Sequence, residues 1–323
     1  MKPSHSETGA ALLTVLLLVA VIGALAAVSL EKLKIATRLA TNMAAADQSR
    51  AYAFAAESIA TYRIADLVAR DRERTTLDGD WQGRPIPVPI DGGTATALLS
   101  DGGNCFNLNS LVTGQVQTGL STRPTAIRQF EALMGLLGVR PNDARRIAAS
   151  TADWIDSDSA PQAGGAEDGA YRDYRTANTL IADPSELRAV AGVSAEIYKQ
   201  LRPWICALPT TDLSPLNINT LTPDQAPLVA MLLPGQLNLA RAKAIIDERP
   251  KAGYSKIVDF WKLPALVGQT PPPDVFAQPQ LKTRWFVVDL NIALAGAELR
   301  EIALIDGALA PARLVHRTYG DPS

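Results

Sequence analysis

Asp153, Asp156, Asp158, Glu167 and Asp168 form the densest run of carboxylates in the chain, and Asp173 follows closely. A hard cation such as calcium takes roughly six to eight oxygens at about 2.3–2.6 Å and favours flexible, carboxylate-rich loops. The segment SDSAPQAGGAEDGAY is long and glycine-rich. Concentrating acids in it is costly unless a cation neutralises them. The spacing is not that of an EF-hand, because the third acid and its following Gly are missing. A solvated acidic loop is the competing reading, and composition alone does not separate the two.

Other chemistries are poorly supplied. Two histidines and two cysteines leave no room for a Cys/His metal cluster. His5 sits in a polar leader, so a histidine triad would depend on His316 alone. There is no Gly-x-Ser-x-Gly elbow and no Walker-type phosphate loop. Asp156 and Asp158 could serve as acid and base, but nothing else supports catalysis, and the expectation is a non-enzymatic protein. The net charge of -2 gives no drive toward nucleic acid. Cys105 and Cys206 are an even pair. In an exported domain that reads as a disulfide; in a reducing compartment it reads as two buried thiols.

The elements that would position these residues begin with one helix. Residues 10–30 are uncharged and long enough to span a ~30 Å hydrocarbon layer. From Leu30 to about Arg72 there is no Pro or Gly, and strong helix formers dominate. Apolar residues recur at helical spacing at Leu33, Ala36, Leu39, Met43, Phe54, Ile59, Tyr62 and Leu67. A Sec-type signal cut after Ala24-Leu25-Ala26, a plain signal anchor, and cleavage at Gly9 with the apolar helix retained are the three readings of this segment. An unbroken helix favours retention, because a signal peptide ends in an extended region.

Strand patterns lie at both ends of the remainder. PIPVPI at 85–90 reads as an edge strand at best, and 94–99 alternates cleanly. Strands are expected again over 284–294, 297–306 and 312–318, with turns at Gly296 and Asp306-Gly307. Helices are expected over 124–137, 142–156, 185–191, 194–203, 222–233, 239–248 and 255–262. Asp183-Pro184-Ser185-Glu186 and Thr222-Pro223-Asp224-Gln225 carry explicit start signals. FNLNSL at 106–111 echoes LNINTL at 216–221, each ahead of a set of helices. Asn side chains there are expected to bond backbone and fix the turn.

A leader ending at Gly9, an uncharged helix starting at Ala10 and an amphipathic continuation resemble a type IV pilin or pseudopilin. Most members carry Glu at the fifth mature position; here it is Thr14. The K minor pseudopilins of type II secretion systems typically lack that Glu. FNLNSLV, ADWIDSDSAPQAGGAEDGAY, ADPSELRAVAGVS and LNINTLTPDQA resemble their motifs, and the likeness spans nearly the whole chain. It implies an α+β pseudopilin fold: a long N-terminal helix on a small antiparallel sheet, with a large all-helical domain inserted between the strands. The expected division is a leader at 1–9, the helix at 10–74 (10–30 in the membrane), a core of 75–104 with 281–323, and the insertion at 105–280.

The same resemblance implies cleavage between Gly9 and Ala10 by prepilin peptidase, and calcium held by Asp156, Asp158, Glu167 and Asp168. It implies a single transmembrane helix in the inner membrane with a periplasmic globular part. The implied partners are minor pseudopilins I and J, other pseudopilins and the inner-membrane secretion platform, in a complex at the tip of the pseudopilus. The rival function is a membrane-tethered DNA-binding protein, since 216–266 also resembles a helix-hairpin-helix module. Its hairpin reads Pro234-Gly235-Gln236-Leu237 and lacks the second Gly. Arg241, Lys243, Arg249 and Lys251 would be its phosphate-facing cations.

Overall fold

The computed structural model describes residues 5–320; the first four residues of the expected leader and the last three of the expected core lie outside them. One helix, α1 (His5–Arg70), runs through the apolar stretch and on into the globular part. Its 66 residues correspond to about 100 Å. It already contains Gly9, so the expected start at Ala10 is earlier here. It ends where the Asp71 side chain accepts hydrogen bonds from the Glu73 and Arg74 amides at 2.9 and 3.2 Å, a turn that competes with helix.

Strands β1 (Pro85–Val88) and β2 (Gly93–Asp101) follow. The chain then leaves the sheet through β3 (Phe106–Asn107), β4 (Val112–Gln115), β5 (Gly119–Thr122), α2 (Pro124–Leu136), α3 (Pro141–Ile155), α4 (Ala195–Leu201) and β6 (Ile205–Cys206). It continues through α5 (Ala226–Ala230), α6 (Leu239–Asp247), α7 (Ile257–Trp261) and α8 (Pro273–Phe276). It returns as β7 (Trp285–Leu294), β8 (Ala297–Asp306) and β9 (Arg313–Tyr319). The antiparallel sheet has the order β1-β2-β7-β8-β9. The proline-rich β1 sits at an edge, where its missing N–H groups cost no ladder bonds. The two-residue turn Ala295-Gly296 between β7 and β8 has φ of +49° and +84°, the primed geometry that matches strand twist.

The helix meets this sheet through a stripe the apolar periodicity did not pick out. Ala45, Ser49, Ala53, Ala56 and Ile64 are buried, whereas Leu33, Leu39, Met43, Phe54, Ile59 and Tyr62 are exposed, and of the periodic residues Leu67 packs partly buried against the sheet. Small side chains let α1 lie close on Leu290, Ile292, Phe286 and Val288, so the larger ones are left facing outward. Arg317 of β9 fastens the helix by donating from Nε and Nη2 to one oxygen of Glu57, at 2.9 and 2.5 Å.

The excursion between β2 and β7 is not all-helical, contrary to expectation. It holds the hairpin β4–β5 and the two-residue parallel pair β3–β6. Neither has a pattern long enough to read locally: Gly114 and Gly119 shape the hairpin with positive φ, and the parallel pair exists only because distant segments meet. The expected helix at 222–233 is a 3-10 turn (Pro223–Gln225) followed by the single turn of α5, since Pro227 lacks the N–H a continuous helix needs. The expected helix at 185–191 is a 3-10 turn, Pro184–Ala189, opened by the Asp183/Glu186 capping box.

Two units of one plan make up the excursion. In the first, the Asn109 amide donates to the Ile181 carbonyl at 2.9 Å and its oxygen accepts from the Ile181 amide at 2.8 Å. In the second, Asn219 does the same to Tyr254, at 3.0 and 2.6 Å. Asn107 and Asn217 each accept from the amide two residues on, at 3.2 and 2.9 Å. Each unit closes with a parallel return, Asn107 opposite Cys206 and Asn217 opposite Gln280. One hydrophobic core runs through both units, with Phe106 stacked on Phe130 at 4.6 Å.

The junction with the sheet is polar. Buried Asp101, the last residue of β2, accepts from the Thr220 hydroxyl at 2.6 Å, from the Gly103 amide at 2.9 Å and from the Thr283 hydroxyl. Asn104 and Asn217 join the same network.

Candidate cation site

The α3 helix carries Asp153 on its last turn and Asp156 as its C-cap. A helix C-terminus carries partial negative charge, so it is a poor place for a buried carboxylate. Asp156 is nonetheless 0% exposed, and neither of its carboxylate oxygens has a hydrogen-bond partner. The following loop brings Asp158 and Glu167 to it. One oxygen from each of Asp156, Asp158 and Glu167 lies within 4.8 Å of the others. Glu167 is 8% exposed and its Oε1 is also unpartnered.

Asp153 shapes the loop. Its carboxylate accepts from the Gln162 amide at 3.1 and 3.2 Å, and a Cβ at Gly165 would collide with it. Trp154 meets Tyr171 and Tyr174 edge-on at 5.5 and 6.0 Å, and the two tyrosines bond to the backbone at Ala191 and Ala189. Tyr171 lies close enough to Asp153 and Glu167 for their charges to act on it, so it borders the acids. Burial, then Asp158, Asp153 and Glu167, push Asp156 up to about 7. Burial and the neighbouring acids also raise Asp153 and Glu167.

Asp168 does not join the group. The Thr176 hydroxyl and amide donate to it at 2.8 and 2.9 Å, and those bonds hold its carboxyl below the usual range. Both bonds fall on Oδ1, and Asp168 stands apart from the group formed by Asp156, Asp158 and Glu167. Unpartnered buried oxygens and an oxygen-only donor set, with none of these three acids ion-paired among the described residues, fit a hard divalent ion.

Cys105 and Cys206 are disulfide-bonded, with Cα atoms 5.8 Å apart, and so tie the start of the first unit to its end. Gly9 and Ala10 lie exposed in the first turns of α1. Thr14 turns its hydroxyl onto the Ala11 carbonyl at 2.9 Å. The DNA-facing reading loses one of its cations. Arg249 donates to the Leu221 and Ile218 carbonyls at 2.6 and 3.3 Å, which ties its guanidinium to the fold. The junction network of Asp101, Thr220 and Thr283 went unread in the sequence, because its members are far apart and each is individually unremarkable in type.

Residues 104–210 and 216–284 match two family models, both described as type II secretion system (T2SS), protein K. Each model falls on one of the two units. The type II secretion system protein K of Pectobacterium carotovorum subsp. carotovorum is 32% identical over 97% of both chains. That of Klebsiella pneumoniae is 32% identical over 98% of both. A chain in the crystal structure of the GspK-GspI-GspJ complex from the enterotoxigenic Escherichia coli type 2 secretion system superposes with a TM-score of 0.73 at 28% identity. That match covers 85% of this chain and 96% of the other. Two units in the right places, a full-length likeness and a shared architecture agree: this chain belongs to the type II secretion system protein K family.

Proposed function

We propose that the protein is the minor pseudopilin that caps the periplasmic pseudopilus and helps initiate its assembly, anchored in the inner membrane by α1. One observation carries the tip position. Residues 10–30 contain no carboxylate, and Thr14, where pseudopilins generally have Glu, satisfies its hydroxyl within its own helix. In such filaments that Glu pairs with the N-terminal amine of the subunit nearer the tip. A charge in an apolar filament core is tolerated only with a partner. The first subunit has nothing ahead of it, and a neutral residue avoids an unpaired charge. The bulk of the two-unit excursion supports the same position, since an open end accommodates it.

Minor pseudopilins I and J are the partners of this reading, supported by the related complex of GspK with GspI and GspJ. The other pseudopilins and the inner-membrane platform follow as assembly partners, and prepilin peptidase acts at Gly9-Ala10. Calcium held by Asp156, Asp158 and Glu167 fastens the loop after α3 to its C-terminal end. The test of the tip position is labelling: tagged protein should appear at one end of sheared pseudopili, and Thr14→Glu should impair secretion. Label along the whole shaft, with Thr14→Glu secreting normally, would overturn it.

A further inference from the structure

We propose that Lys32, Lys34 and Arg38 form a collar on α1 that binds anionic phospholipid headgroups where the helix leaves the bilayer. The proposal rests on α1 being the membrane anchor. The apolar span ends at Leu30. At helical rise, Lys32, Lys34 and Arg38 stand about 3, 6 and 12 Å beyond it. The headgroup layer occupies roughly 5–8 Å on each side of the hydrocarbon. Helical side chains lean toward the N-terminus, which here is toward the bilayer, so the long stem of Arg38 can reach back into that layer.

The charge pattern supports a lipid partner. After Glu31 the next acid is Asp47, which already pairs with Arg50 at 3.4 Å. Between them stand only these three cations. All three are exposed, and among the described residues none makes an ion pair. Lys34 and Arg38 are one turn apart on a face shared with Thr37 and Thr41, which adds hydroxyls turned inward to Leu33 and Thr37 carbonyls rather than competing acids.

The test uses the full chain in phosphatidylcholine vesicles, with spin-labelled phosphatidylglycerol or phosphatidylcholine as trace probes. Electron paramagnetic resonance reads the motionally restricted fraction of each probe. The wild type should favour phosphatidylglycerol at least about fivefold, the scale of one basic residue at an anionic surface. Salt should weaken the preference, and Lys32→Gln/Lys34→Gln/Arg38→Gln should abolish it. Equal restriction of both probes by the wild type would overturn the proposal. So would a triple variant that keeps the lipid preference but loses contact with a neighbouring subunit, which would make the collar a protein interface. Resistance to alkaline extraction, measured in parallel, separates this from failure of the anchor itself: a chain that is extracted was never anchored, and the collar falls with it.

Discussion

Asn219 grips both backbone groups of Tyr254, accepting from its amide at 2.6 Å and donating to its carbonyl at 3.0 Å. Gly253, with φ of +72°, makes the approach possible, since a Cβ there would stand 2.8 Å from the Asn219 oxygen. The side chain thus takes the place of a strand partner for this buried segment.

Asn219→Ala should therefore destabilise the protein by about 2–4 kcal/mol, because two buried backbone groups lose their partners. Thermal unfolding of the detergent-solubilised chain measures it. Asn109→Ala should act similarly on the first unit, but that unit is also closed by the Cys105–Cys206 disulfide. Its penalty should grow when both cysteines are replaced by Ser. Equal penalties in the two backgrounds would show that disulfide and clamp act independently.

Chelation should lower the melting temperature, since a ligand held only by the native state stabilises it by about 2.7 kcal/mol at one hundred times its Kd. Asp156→Asn and Glu167→Gln should remove the response, and Asp168→Asn should keep it. In chelator the sign inverts: Asp156→Asn should be more stable than wild type, because it removes one of three crowded carboxylates. Terbium offers a direct readout, as excitation of Tyr171, which interacts with Asp153 and Glu167, should sensitise its emission. No terbium signal, and a chelator-blind melting curve, would leave a merely acidic loop.

Burial holds the Asp101 carboxyl above its ordinary value, against the opposing bonds from Thr220, Thr283 and the Gly103 amide. The folded state thus binds this proton more tightly than the unfolded chain, whose carboxyl titrates near about 3.9. Its stabilising contribution is full below that pH and is lost as pH rises through the raised folded value. Measured against wild type, Asp101→Asn should gain relative stability as pH rises across that window. A difference that is flat with pH would mean that Asp101 is charged at no cost.

Intact mass of the membrane-extracted protein should give a chain beginning at Ala10. A start near Ala27 would mean removal of the apolar helix, and the anchor would be lost with it.

Much of this was legible from local order. An unbroken run of helix formers after an uncharged span sufficed for α1, clean alternation sufficed for β2, and strand-like runs bounded by the turns at Gly296 and Asp306-Gly307 sufficed for β7, β8 and β9. The acids of the loop and the two Asn motifs stood out by type and spacing. Which face of α1 is buried was not legible: close packing on a sheet selects Ala and Ser over the larger apolar residues that periodicity picks out. The division of labour among the acids was not legible either, because Thr176 claims Asp168 while the end of α3 leaves Asp156 with no donor at all. Asp101, Thr220 and Thr283 meet only when the chain returns to the sheet. Short-range periodicity records which surface an element hides; it carries no information about which distant polar groups will satisfy one another, and that pairing is decided only when the tertiary structure closes.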